Sequence, residues 1–167
     1  NPTEGGSTSG GGTFNYGDTA TVSATANAGY TFINWTEGGT IVSTDEDYSF
    51  TVTSSRALVA NFSQDAYTIT TSSNPTEGGN TTGGGTYNYG DTATVSASSN
   101  AGYTFINWTE GGTIVSTDED YSFTVTSSRA LVANFSQDAY TITTSSNPTE
   151  GGSTSGGGTF NYGDTAT

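Results

Sequence analysis

The residues of this chain that could do chemistry are its carboxylates. Sixteen Asp and Glu stand against two cations, Arg56 and Arg129, for a formal net charge of −14. The densest cluster is Asp118-Glu119-Asp120, and the chain carries the same triplet earlier as Asp45-Glu46-Asp47. Adjacent carboxylates on a turn can offer the several oxygen ligands that a hard cation takes. These six residues are therefore the candidates for a calcium site. They lack the D-x-[DN]-x-[DN]-G spacing of an EF-hand, and a solvated acidic turn is the competing reading. Glu110 and Asp118 can be paired on paper as a glycosidase acid and base. Nothing in the sequence sets the pKa of one apart from that of the other.

Other chemistry is excluded by composition. There is no His, Cys or Lys, so there is no Ser-His or Cys-His nucleophile pair and no Schiff-base amine. The usual zinc and copper ligands are missing as well. The runs Gly10-Gly11-Gly12 and Gly83-Gly84-Gly85 are not followed by the Lys of a phosphate-binding loop. We expect no catalytic residues, no cofactor and no enzymatic activity. The acidic surface repels nucleic acid and anionic lipid headgroups. No apolar run approaches the ~20 residues of a membrane span.

The elements that must position these groups are strands, and they repeat. NPTEGG begins at Asn1, Asn74 and Asn147, a spacing of 73 residues. At that offset residues 1–94 face residues 74–167, and only eight pairs differ: Ser7/Asn80, Ser9/Thr82, Phe14/Tyr87, Thr25/Ser98, Ala26/Ser99, Asn80/Ser153, Thr82/Ser155 and Tyr87/Phe160. No stretch shows helical periodicity, whereas alternation with period two is plain. Ala93, Val95 and Ala97 share a face in TATVSAS; Tyr121, Phe123 and Val125 do so in YSFTVT; Leu131, Ala133 and Phe135 do so in ALVANF. YTFINW is apolar on both faces, with Tyr103 and Phe105 opposite Ile106 and Trp108, and reads as the central strand. Gly-rich or polar breaks, such as Glu110-Gly111-Gly112 and Asn100-Ala101-Gly102, mark hairpin turns.

Trp35, Trp108, Phe105, Phe123 and Phe135 are the expected core. The alternative for the tryptophans, with Tyr30 and Tyr103, is an exposed sugar-stacking platform. Tyr16, Tyr89 and Tyr162 sit beside turns and are candidates to pack across the joint between repeats. Arg129 lies among the seven carboxylates of its repeat, and an ion pair is its default role.

The most economical unit runs over residues 66–138, from AYTITTSS to ALVANFSQD. Residues 1–65 are then a unit without its first strand, and 139–167 are the start of a third. Only Ser136-Gln137-Asp138-Ala139 separate the closing Phe135 from the next strand at Tyr140. This spacer has no Gly or Pro, unlike a slack tether. Tyr67, Ile69, Asp138, Tyr140 and Ile142 are the expected joint. The ends suggest two alternatives: a window cut from a longer array, or a tail that completes the strand-deficient first unit of another copy.

The string from GGGTYNYGDT to ALVANF resembles the divergent internalin-B-type B-repeat, or Listeria–Bacteroides repeat, of bacterial surface proteins. The features that carry the resemblance are Gly-Asp-Thr before a small/Val strand, then Gly102-Tyr103-x-Phe105-x-x-Trp108, Tyr121-x-Phe123-x-Val125-Thr126 and Leu131-x-Ala133-x-Phe135. The resemblance implies a small β-rich module, β-grasp-like in the better-known members, used in tandem on secreted or wall-attached proteins, with no catalytic residues. The expectation is therefore all-β: modules of about 73 residues, β-grasp-like or small sandwiches, placed end to end. Function is expected to be structural, as a segment of an extracellular filament or cell-surface stalk whose partners are further repeats or copies, head to tail. The alternative is a multivalent adhesion module that binds a glycan or a host or neighbour-cell protein.

Overall fold

The structure, a computed structural model, describes residues 3–167. Among them there is no α-helix; the only helical segments are single 3-10 turns at Thr3–Gly5, Thr76–Gly78 and Thr149–Gly151. In the first repeat the strands are β1 (Gly6–Ser9), β2 (Thr19–Ala26), β3 (Tyr30–Glu37), β4 (Thr40–Ser43), β5 (Asp47–Thr51) and β6 (Leu58–Gln64). The second repeat has β7 (Ala66–Asn74), β8 (Gly79–Thr82), β9 (Gly85–Asn88), β10 (Thr92–Ser99), β11 (Tyr103–Glu110), β12 (Thr113–Ser116), β13 (Asp120–Thr124) and β14 (Arg129–Gln137). β15 (Ala139–Ile142) and β16 (Gly158–Asn161) follow.

Contacts divide the chain into two compact units. Unit 1 holds the chain up to Tyr67 together with Tyr87–Asp91 and Thr124–Ser127; unit 2 holds Thr68–Thr86, Thr92–Phe123 and Ser128–Thr167. Two short segments of the second repeat pack with the first, and residues 139–167 join unit 2.

Unit 1 is a pair of three-stranded antiparallel sheets, ordered β1-β2-β5 and β4-β3-β6. Its core draws on both. Val22 and Ala24 come from β2; Trp35, Ala60 and Phe62 come from β3 and β6; half-buried Tyr48 and Phe50 of β5 pack against them. The period-two alternation decides this: Ala20, Val22 and Ala24 turn inward while Thr19, Thr21 and Thr25 face solvent. Unit 2 repeats the pattern with Ala93, Val95 and Ala97 of β10 and Leu131, Ala133 and Phe135 of β14, all buried. Two packed sheets without a helix make the sandwich alternative the one that describes each unit.

Unit 2 adds a strand. Its larger sheet is ordered β12-β11-β14-β7-β9, and β7 runs parallel to β14 with Arg129↔Ile69 through Asn134↔Asn74 opposed. The opening strand thus closes its own repeat. YTFINW departs from expectation in two ways. In unit 1 it is the middle strand, but in unit 2 the middle position belongs to β14. Its facing is also different. The pairing register slips between Phe105 and Asn107, which leaves Ile106 as a bulge residue, 46% exposed. One extra residue inverts the parity of everything after it. Phe105 and Trp108 therefore share the core face, with ring centroids 6.2 Å apart. The same slip occurs between Phe32 and Asn34.

Candidate functional site

The most distinctive constellation is a tyrosine seated on a glycine turn, and it occurs once in each unit. In unit 1 the turn between β2 and β3 is Asn27-Ala28-Gly29. The Tyr30 N–H donates back to the Asn27 carbonyl at 3.1 Å, and the Asn27 side chain donates to the Glu4 carbonyl at 2.9 Å. Gly29 adopts φ +78°, a left-handed conformation that favours glycine. The bare face of this glycine carries the ring of Tyr89: a Cβ built at Gly29 would collide with the ring and lie 2.7 Å from Tyr89 Cβ.

Hydrogen bonds lock the contact. The Tyr89 N–H donates to the Asp65 carbonyl at 2.8 Å, and the Asp65 N–H donates to the Gly29 carbonyl at 2.8 Å. Gln64 Nε2 donates to the Tyr89 carbonyl at 3.0 Å, while Thr31 Oγ1 donates to the Asp65 carboxylate at 2.7 Å. The tyrosine's own turn is held by the Asp91 carboxylate, which accepts the Asn88 N–H at 2.9 Å. Unit 2 builds the same latch from the residues 73 further on. Tyr162 lies over Gly102, at φ +78°, and the Tyr162–Asp138 and Asp138–Gly102 backbone bonds are again 2.8 Å. Gln137 donates to the Tyr162 carbonyl at 3.0 Å and Thr104 to the Asp138 carboxylate at 2.7 Å.

Of the expected joint residues, Asp138 is in the latch. Ile69 is not: it is 1% exposed, in the core of unit 2. Tyr67 is half-buried, whereas Tyr140 and Ile142 are 54% and 44% exposed on β15. Gly29, Gln64, Thr31 and Thr104 carry no signal in the sequence; Gly102 reads there only as a turn and motif glycine, and Gln137 only as part of the spacer. A glycine that serves as a docking face looks in the sequence like any turn glycine.

The tryptophans are interior. Trp35 is 2% exposed and Trp108 0%, and each indole N–H donates at 3.1 Å to the carbonyl of Glu46 or Glu119. A stacking platform on them would need the ring in solvent. Phe135 is buried, and Phe105 and Phe123 are half-buried. The backbone carbonyl of the central residue in each acidic triplet is thus spent on the indole. Among the described residues no group of three or more carboxylates is placed to hold a metal ion.

Arg129 makes the expected ion pair, with Nε and Nη2 at 3.0 and 2.8 Å from one Glu110 oxygen. Nη1 donates to the Tyr121 hydroxyl at 3.2 Å, and the guanidinium lies 4.3 Å from the Phe123 ring centroid. The Glu110 hydrogen bonds hold the Arg129 pKa above its ordinary value. Arg56 is raised likewise by Glu37. In return the Arg56 hydrogen bond holds Glu37 below the usual carboxylate value. These residues brace the sandwich.

A family model described as the divergent InlB B-repeat domain matches residues 1–66 and 69–139. No curated protein matches the chain. No solved structure matches it either.

Proposed function

The chain belongs to the divergent InlB B-repeat family, a family of surface-protein repeats rather than of enzymes, and from this we propose that its modules are structural segments of a bacterial extracellular filament or surface stalk. One observation supports this reading above the others. Tyr89 and Tyr162 each reach back from the opening of one repeat to the glycine turn of the repeat before, and both latches use the same atoms at the same distances. A joint bridged by two hydrogen bonds to the tyrosine's backbone and a seated ring, with only a few residues between strands, resists bending in a way a flexible linker does not. Head-to-tail contacts of one kind extend a row of modules, which stays open wherever the rotation per module does not close it into a ring. The molecule then works outside the cell by its reach, carries no reactive centre and needs no cofactor.

Small-angle scattering from the intact chain tests this. A stiff joint gives a sharp, single separation between module centres. A broad distribution, of the kind two freely tumbling beads produce, would reject the stalk.

A second reading, multivalent adhesion, is favoured by exposed aliphatic side chains. Ile33, Ile41 and Val59 are 45%, 58% and 46% exposed in unit 1, and Ile106 and Ile114 repeat two of them in unit 2 at 46% and 59%. Because the tryptophans are buried, such a surface suits a protein partner better than a glycan. Ile41→Asp with Ile114→Asp should then abolish cell attachment while the scattering curve stays unchanged. Attachment that survives the pair would remove this reading.

A further inference from the structure

The first and last strands of the repeat over 66–138 are neighbours. β7 opens it, β14 closes it, and the two run parallel with Arg129↔Ile69 through Asn134↔Asn74 opposed. Asp65 alone separates β6 from β7, and Asp138 alone separates β14 from β15. The chain thus enters and leaves the repeat without slack. A pull along it draws β7 backward from Ala66 and β14 forward from Gln137. On parallel neighbours these forces act lengthwise and in opposite senses. Every bond of the ladder is then loaded at once, whereas a hairpin pulled at its open end loses its bonds one at a time. Residues 75–128 lie between the two strands in sequence and outside this load path. Side-chain bonds tie the ladder at both ends. At one end the Thr68 N–H donates to Ser128 Oγ at 3.1 Å and Thr70 Oγ1 to the Arg129 carbonyl at 3.4 Å. At the other, Asn74 Nδ2 donates to Asn134 Oδ1 at 3.2 Å. Ile69 is 1% exposed, so β7 cannot slide along β14 without drawing an apolar side chain out of the core. On its other side β7 is held by β9.

We propose that the β7–β14 ladder is a shear clamp and that the module bears tension. Stretched along the chain, it holds until β7 tears from β14, and only then releases residues 75–128. Forced unfolding is governed by the barrier met along the pull rather than by equilibrium stability. One folded module is therefore strong along the strands and weak across them. This deepens the stalk reading, on which it rests for its biological purpose: a stalk that holds an attached load is stretched along its chain.

The chain has no cysteine, so pairs of introduced thiols choose where an optical trap grips the full chain. Ala66, Thr76, Ser127 and Ala139 are all exposed. Ala66→Cys with Ala139→Cys pulls the two strands lengthwise. Ala66→Cys with Ser127→Cys grips both strands at their N-terminal ends, and Thr76→Cys with Ala139→Cys grips both at their C-terminal ends. Each of these two pairs peels the ladder, and each shares one grip with the lengthwise pair. Rupture should release about 200 Å in all three, at about 3.3–3.6 Å per residue. At one loading rate the lengthwise pair should need several times the force of either peeling pair; circular dichroism verifies that each variant is folded. Equal forces in the three geometries, or a lengthwise force below a peeling one, would overturn the clamp. Weak lengthwise rupture in a chain that scatters as a stiff rod would remove the clamp and leave the stalk reading standing. Strong lengthwise rupture in a chain with broadly scattered module separations would do the reverse.

Discussion

Gly29→Ala is the sharpest probe of the latch. The new methyl group brings two costs. The first is local: Gly29 has φ +78°, and a residue with a Cβ pays about 1–2 kcal/mol there. The second is the eviction of Tyr89, whose ring occupies the space the methyl needs. Its size follows from the tyrosines themselves. Tyr16 is 84% exposed, whereas the docked Tyr162 is 48% exposed. Docking therefore hides roughly a third of a side chain of about 200 Å², or about 70 Å², worth about 2 kcal/mol. Gly29→Ala should cost about 3 kcal/mol in urea unfolding. Gly38→Ala, at φ +56° with nothing within 4 Å, should cost only the local part, about 1–2 kcal/mol. Tyr89→Ala should cost about 2 kcal/mol by itself. In the double variant the costs should not add: once the ring is gone the methyl meets nothing, and a coupling of about 2 kcal/mol should appear. Additive costs, or equal effects of Gly29→Ala and Gly38→Ala, would refute the latch.

Further outcomes follow from the core and the ion pairs. Trp108→Ala, which empties a fully buried site and removes the bond to the Glu119 carbonyl, should cost about 3–5 kcal/mol by denaturant titration. Glu37 is held below its ordinary value of 4.5, chiefly by the Arg56 hydrogen bond. Its contribution is therefore complete above that pH and is lost as the pH falls through the lower folded value. The melting temperature of Glu37→Gln should fall less steeply than that of the parent between about pH 5 and about pH 3. Arg56 is shifted upward, so its contribution persists until strongly alkaline pH and adds no slope in that window.

The strands and the inward residues were legible because alternation is a local signal. Ala93, Val95 and Ala97, or Leu131, Ala133 and Phe135, announce their face within seven residues, and the structure buries all six. The facing of Trp108 was not legible, because a bulge is decided by two strands together. The slip at Ile106 exists only against the partners Phe135 and Asn134 of β14. The latch was half legible. A tyrosine beside a turn signals a candidate contact, but its acceptor, Gly102, is 60 residues away from Tyr162 in sequence (162 − 102), and the turn pattern that marks Gly102 says nothing of what docks on it. Ile69 was misplaced to the joint for a related reason. The strand that opens a repeat is adjacent in sequence to the previous repeat, but in space it lies beside its own last strand, β14.

The stiffness proposed for the joint has two candidate causes, contact and charge, and they can be separated. A formal charge of −14 would by itself keep modules apart through self-repulsion, so an extended molecule in dilute buffer would not prove a mechanical joint. The latch, though, is built almost wholly from neutral groups: a tyrosine ring, a glycine, a glutamine amide and backbone pairs. Its carboxylates, Asp65 or Asp138 and the turn's Asp91 or Asp164, accept from a threonine hydroxyl and a backbone N–H rather than from a cation. Salt therefore divides the two causes. At about 1 M the screening length is about 3 Å, against about 30 Å at 0.01 M, and repulsion between modules vanishes while rings and hydrogen bonds stay in place. The separation of module centres from scattering should be the same in both buffers for the parent chain. With Tyr89→Ala it should become salt-dependent, because repulsion is then all that remains to hold the modules apart. A parent chain that collapses as salt rises would assign the stiffness to charge and leave the tyrosine a passenger.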